Sequence, residues 1–304
     1  MLPTLHRCLS FLLTLLLCQP LFAQDDLMDL LEDMEEETID YTYATFKTVR
    51  VINGHSIEIP APGVMQLIIA HRFGRINGGA YEFFGLDQAN MRLGFEYGIN
   101  NHLCVGVGRT NLGKTYDGFV KFKFLRQSTG ARIMPVSVVA LSGISANGLT
   151  WAYPNRPNYF TSRLSYTHQL LIGRKFSDRL SLQLSPTVVH RNLVRTSEDW
   201  HDIYLIGIGG RYKLTGSITV NAEYFYALPG YLSEGYQNSL SLAFDIETGG
   251  HVFQLIFSNS RAMTDNLFLT ETDGQWQRGD IHFGFNLMRV FTVSEKARQK
   301  AEKW

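Results

Sequence analysis

The sequence predicts an all-β fold, an antiparallel up-and-down transmembrane β-barrel of about twelve strands with an N-terminal periplasmic extension. Three observations predict it. Stretches of about ten residues between Val64 and Phe291 alternate apolar with polar or small side chains, which places one oily and one polar face on each strand. In residues 91–99, Met91, Leu93, Phe95, Tyr97 and Ile99 share one face and Arg92, Gly94, Glu96 and Gly98 the other. The connections alternate short and long, the habit of barrels with tight periplasmic turns and longer outer loops. Finally, two aromatic belts fall on the oily face: Tyr97, Phe124, Phe176, Tyr212 and Phe291 near one edge, and Phe73, Tyr204, Tyr226 and Phe257 near the other.

The elements follow in order. His6 and Arg7, then an apolar run from Leu9 to Cys18, then Ala23 read as a secretory signal over residues 1–23, cleaved before Gln24. Cys8 and Cys18 would leave with it, so Cys104 remains alone and no intramolecular disulfide forms. Residues 24–63 form the extension. Its first part, 25–40, carries nine carboxylates and no base, a composition of a solvated acidic leader, although Leu27, Leu30, Leu31 and Met34 also fall at helical spacing. Its second part, 45–63, is β-branched and turn-rich, and reads either as a periplasmic hairpin or as a segment tucked into the lumen.

The barrel is expected over 64–291, with strands at 64–74, 90–99, 103–109, 117–126, 133–144, 160–176, 179–190, 201–214, 217–228, 238–247, 251–259 and 279–291. An even number puts both ends of the barrel on one side. Asn100-Asn101-His102, Ser177-Asp178, Thr215-Gly216 and Thr248-Gly249-Gly250 are tight turns. A polar tail follows at 292–304. Two positions sit badly in the pattern: His168 lands on the oily face in mid-strand, where a bulge would re-aim it, and Pro186 removes a ladder donor, so a bulge or a frayed edge is expected there.

The inward face gathers Arg72, Arg92, Glu96, Arg109, Lys121, Lys123 and Arg163 on the early strands. Glu223, Asp245 and Glu247 face them from the ninth and tenth strands. Bases on one wall and acids on the other read as a narrow aqueous path that selects small polar solutes, or as a closed lumen whose charges pair. Twelve strands lie between the filled interior of eight and the open channel of sixteen. A structural or docking barrel, meeting a periplasmic protein through residues 24–63, is the alternative. A membrane-lipid hydrolase needs a nucleophile and base in reach; the available pairs are Ser165 with His168, Ser181 with His190, and Ser239 with His251.

No cofactor or metal site is expected, since the His residues are scattered without ligand spacing. Residues 108–115 match the form of a phosphate loop, but the alternating stretch after them reads as a strand where that motif needs a helix. The formal net charge is +0 with no basic tract, which excludes nucleic acid as a partner. The partners expected are outer-membrane lipid and the barrel-assembly machinery, and the location is the outer membrane of a Gram-negative bacterium after Sec-type export. Residues 45–63, 71–99, 106–130 and 134–138 resemble the DUF5777 family of outer-membrane β-barrels. The resemblance implies the barrel and its membrane location, and brings no activity or site residue.

Overall fold

The computed structural model describes residues 38–248 and 251–294. The expected signal and most of the expected acidic leader, Gly249 and Gly250 of an expected turn, and the end of the polar tail lie outside the described residues. The described residues fall into two compact units, one holding 38–40 and 129–133 and the other 41–128 and those from 134 on. In the first, Ala131 N donates to Thr38 O at 3.1 Å.

The second unit is a closed barrel of twelve antiparallel strands. They are β1 (Val64–Arg75), β2 (Ala89–Gly98), β3 (Leu103–Thr110), β4 (Tyr116–Leu125), β5 (Ser137–Ala146) and β6 (Leu164–Lys175). Then come β7 (Leu180–Arg191), β8 (Asp202–Lys213), β9 (Ile218–Ala227), β10 (Ser239–Thr248), β11 (His251–Ser258) and β12 (His282–Thr292). Each strand pairs with the next, and β12 closes onto β1 with Phe285 opposite His71 and Leu287 opposite Ile69. A bulge between His282 and Gly284 lets that seam close.

Alternation decides which side chains face in. On β8, Ile203, Leu205 and Arg211 are buried in the lumen, while Tyr204, Ile206, Ile208 and Tyr212 are exposed on the outer wall. Both aromatic belts lie on that outer wall. Among the described residues no helix is long and apolar enough to cross a membrane. That criterion does not concern strands.

Three strand boundaries move for physical reasons. β5 starts at Ser137 rather than at 133, because Pro135 has no N–H to give a ladder. β6 starts at Leu164, after a 3-10 turn over Phe160–Arg163. β12 starts at His282, the residues before it belonging to the loop. Neither expected bulge forms. His168 keeps its outward place opposite Ser142 and Val188. At Pro186 the register holds, with Gln169 opposite Thr187 and Ile172 opposite Leu184 on either side of the proline.

Two segments fill the lumen. Residues 45–60 enter as a hairpin, buried without interruption from Thr48 to Ile57. Val51 N donates to Gly54 O at 2.8 Å and Ser56 N to Val49 O at 3.0 Å, so the chain reverses at Ile52-Asn53. Phe46, Val51, Ile52 and Ile57 pack on inward Val139, Leu171, Ala243 and Ile256. The loop between β11 and β12 enters from the long-loop end. Its helix α1 (Asp265–Thr270) buries Phe268 and Leu269 against Val189, Ile203, Leu205 and Phe225. The long loop after β5 stays mostly exposed.

The hairpin leaves the lumen past Gly98, where an added Cβ would lie 2.3 Å from Pro60 O and 2.4 Å from Ala61 O. Gly98→Ala is therefore expected to push this leg off the wall, at a cost of about 1–3 kcal/mol. Limited trypsin digestion at Lys47 and Arg50 should accelerate, whereas Gly216→Ala, with nothing within 4 Å of the new Cβ, should digest like the parent.

Candidate functional site

The site is the seat of the hairpin. On the acidic wall, Glu223 of β9 is buried, and its carboxylate accepts from Ile52 N at 3.1 Å, Asn53 N at 2.8 Å and Gly54 N at 3.0 Å. Successive N–H groups at a turn form a concavity for an anion. On the opposite wall, Lys121 of β4 is fully buried. It donates to Val49 O at 2.9 Å and Glu58 O at 3.4 Å, and pairs with Glu96 at 3.2 Å. The acid holds hairpin N–H groups and the base holds hairpin carbonyls.

Amide side chains complete the seat. Gln183 of β7 accepts from Ile57 N at 2.9 Å and donates to His55 O at 2.8 Å. Gln254 of β11 donates to Val51 O at 2.9 Å and to Asp245 at 2.7 Å. Asn286 of β12 donates to Ile52 O at 3.1 Å, and Arg72 reaches Asn53 Oδ1 at 2.7 Å. Each bond satisfies a backbone or polar group that would otherwise be stranded in a dry interior.

Hairpin and loop meet at one carboxylate. Asp265, at the start of α1, accepts from Arg50 at 3.3 Å and from His55 Nε2 at 3.1 Å. Arg50 also reaches Glu96 at 3.4 Å. His55 is fully buried with its ring edge-on to Phe119 at 4.4 Å. Burial, then Arg50, push its imidazole down to about 3. Burial opposes ionisation of Asp265, but His55 and Arg50 outweigh it and hold that carboxyl below the usual range. Beside the hairpin, along β1 and β2, a cavity of about 10 Å³ remains, the room of roughly one water.

The ten residues expected to line a lumen divide. Arg72, Arg92, Glu96, Lys121, Glu223 and Asp245 are buried and inward. Lys123 is half-buried on the same face as Lys121, and Glu247 pairs with hairpin Lys47 at 2.8 Å. Arg92 is bonded to Asp117. Two do not line the lumen. Arg109 shares the outward parity of Val105 and Val107, and its guanidinium lies 5.3 Å from the Tyr116 ring centre. Arg163 sits in the turn before β6, bonded to Asn147 O and stacked 3.9 Å from the Trp151 ring centre.

The Ser and His pairs do not assemble. Ser165 and Ser181 face inward while His168 and His190 face outward, and Ser239 and His251 lie at opposite ends of β10 and β11. The string 108–115 ends β3, makes a 3-10 turn at Leu112–Lys114 and enters antiparallel β4, so no phosphate cradle forms. Among the described residues no cluster of His, Cys, Asp or Glu could hold a metal. Arg50, His55, Gln183, Gln254, Asp265 and Asn286 complete the seat without having been singled out in the sequence. The turn-forming Asn53-Gly54 pair was the available signal.

Glu223→Gln replaces an acceptor of three N–H groups with an amide that offers one oxygen. Hydrogen bonds to charged groups contribute about 1.5–3 kcal/mol, so hydrogen exchange at Ile52, Asn53 and Gly54 is expected to quicken at least tenfold. Exchange unchanged at those amides would remove Glu223 from this role. Acid should loosen the hairpin as well. His55 titrates near 6.5 when free and near 3 when seated, so the released hairpin binds more protons below pH 6.5. Seating then weakens by up to about 1.4 kcal/mol per pH unit between 6.5 and about 3. Asp265, depressed when seated, adds loss below about 3.8. A nitroxide on Lys47→Cys should gain mobility through this window, and His55→Gln should flatten the response above pH 4.

Against known proteins, a family model described as a membrane-bound β-barrel domain, DUF5777, matches residues 46–291. No curated protein matches. Among solved structures, the chain is similar to the KdgM porin (10% identity, 74% of this chain and 99% of that one, TM-score 0.47). It is also similar to the NanC porin (7%, 74% and 98%, TM-score 0.46). A third is an outer membrane channel from Pseudomonas putida F1 (10%, 77% and 97%, TM-score 0.43). With a match that begins at hairpin residue Phe46 and ends in the closing strand, this chain belongs to the DUF5777 family of membrane-bound β-barrel domains.

Proposed function

We propose that the protein is an outer-membrane channel or transport component for small polar solutes that rests closed, with hairpin 45–60 as its gate. The observation that carries this reading is the charged wall beneath the hairpin. Arg72, Arg92 and Lys121 stand on one side, and Glu223, Asp245 and Glu247 on the other. Ionised groups in a permanently dry interior cost more than apolar ones of equal volume. On this wall they serve both states. Seated, Lys121 and Glu223 bind hairpin backbone and Arg72 and Glu247 bind the hairpin side chains Asn53 and Lys47; with the hairpin out, all six line a polar passage whose transverse field orients small solutes. The short turns and both barrel ends then lie on the periplasmic side.

Planar-bilayer recording tests it. The intact barrel should show little or no conductance, and deletion of residues 45–60 should give a steady ohmic conductance. Lys121→Ala in the deletion background should change its ion selectivity. A deletion barrel that folds, by its heat-dependent gel mobility, yet stays silent overturns the gate.

A second reading rests on a different observation. Inward Val139, Leu171, Ala243 and Ile256 form an apolar patch that the hairpin covers, as suits a permanent core. In that case the barrel is a non-conducting anchor that docks a periplasmic protein through residues 24–44. It predicts a silent deletion barrel and a partner lost when 24–44 is removed.

A further inference from the structure

At the long-loop end a cavity of about 500 Å³ opens between the loops, within the ~300–1,000 Å³ typical of small-molecule sites. Its lining has two characters. Leu112, Leu149, Leu267 and Tyr236 supply apolar surface. Arg195 and Arg261 supply positive charge and Glu234 and Glu271 negative charge, while Asp273, also in the lining, is paired with Arg75 at 3.2 Å.

Among the described residues none of these four charges is in an ion pair. The nearby loop bases and acids that do pair, Arg75 with Asp273 and Asp280, are tied to one another. Arg195 is oriented by donating to Tyr236 Oη at 3.0 Å, its guanidinium 5.6 Å from that ring's centre. Glu271 is half-buried and no described group hydrogen-bonds its carboxyl. Burial pushes that carboxyl up, and Arg191 and Arg195 only partly offset it. A half-buried carboxyl with no protein partner is free to take a donor cation from a solute.

We propose that this cavity binds a zwitterionic solute with an apolar side chain, an amino acid or a short peptide. Its ammonium meets Glu271 and Glu234, its carboxylate meets Arg195 and Arg261, and its side chain rests on Leu112, Leu149 and Leu267. A solute of one net charge would leave two of the four groups unmatched. A neutral sugar would match none of them in charge. The site deepens the channel reading by naming a solute class, and it rests on that reading for its role in transport. Binding itself is measured without conductance, so the two fail separately.

Isothermal titration of the full barrel in detergent with leucyl-leucine tests it. Saturable binding is expected. N-acetylation or C-terminal amidation of the peptide should each weaken it about tenfold, the loss of one charge-assisted contact. Glu271→Gln should reduce the penalty of N-acetylation, and Arg261→Gln that of amidation, because each removes one of the two groups the modified terminus had met. No saturable heat with leucyl-leucine, equal affinity for the blocked peptides, or tighter binding of glucose overturns the assignment.

Discussion

A twelve-stranded ring encloses more space than its own side chains can fill and less than a wide pore needs. Everything inside this barrel answers that constraint. The wall cannot close on itself, so a second layer must enter, and each polar group it carries must find a partner in the wall. Residues 45–60 meet the requirement because a hairpin turn concentrates three N–H groups at one place, and Glu223 stands where they converge. Without that carboxylate those donors would be buried with no acceptor.

The separation of charge on the two walls acquires its meaning here. Bases near β1, β2 and β4 and acids on β9 and β10 do not pair across the lumen. The hairpin stands between them and presents opposite backbone groups to each: carbonyls to Lys121, N–H groups to Glu223. The peptide dipole takes the part of counter-ion. Apolar packing of Ile52 and Ile57 sets the depth of the seat. The charged contacts set its register, since a slip by one residue would turn every backbone group away from its partner.

Much of the barrel was legible from residues because the period-two pattern is imposed by lipid on one side and a polar interior on the other. The lumen residues on long strands were legible for the same reason. The two misplaced ones have separate causes. Arg109 follows Val105 and Val107 in parity, so its outward position was written in residues 103–110, but its charge was given more weight than its phase. Arg163 precedes its strand, where alternation has not begun. A β-branched stretch with Asn53-Gly54 describes a turn and not its surroundings, so residues 45–63 alone do not choose between periplasm and lumen. The loop between β11 and β12 was opaque. Phe268 and Leu269 lie among Thr, Asp and Glu, and nothing local distinguishes a helix folded into a lumen from a solvated loop.

The meeting of hairpin and loop at Asp265 shapes how the seat can open. Two segments entering from opposite ends of a barrel could have met through apolar side chains, as Phe268 meets Phe225 at 5.3 Å. They meet instead through a carboxylate, a guanidinium and an imidazole. Extracting an apolar contact exposes surface to water at a cost proportional to its area. Separating buried ions recovers much of what their desolvation took, because water solvates each one again. The ionic contact therefore adds specificity to the closed arrangement while adding less to the barrier against leaving it. Arg50 is bound to Glu96 of the wall as well as to Asp265. A shift of α1 alone thus removes one of its two carboxylates and leaves the hairpin seated, whereas the hairpin cannot leave without giving up both.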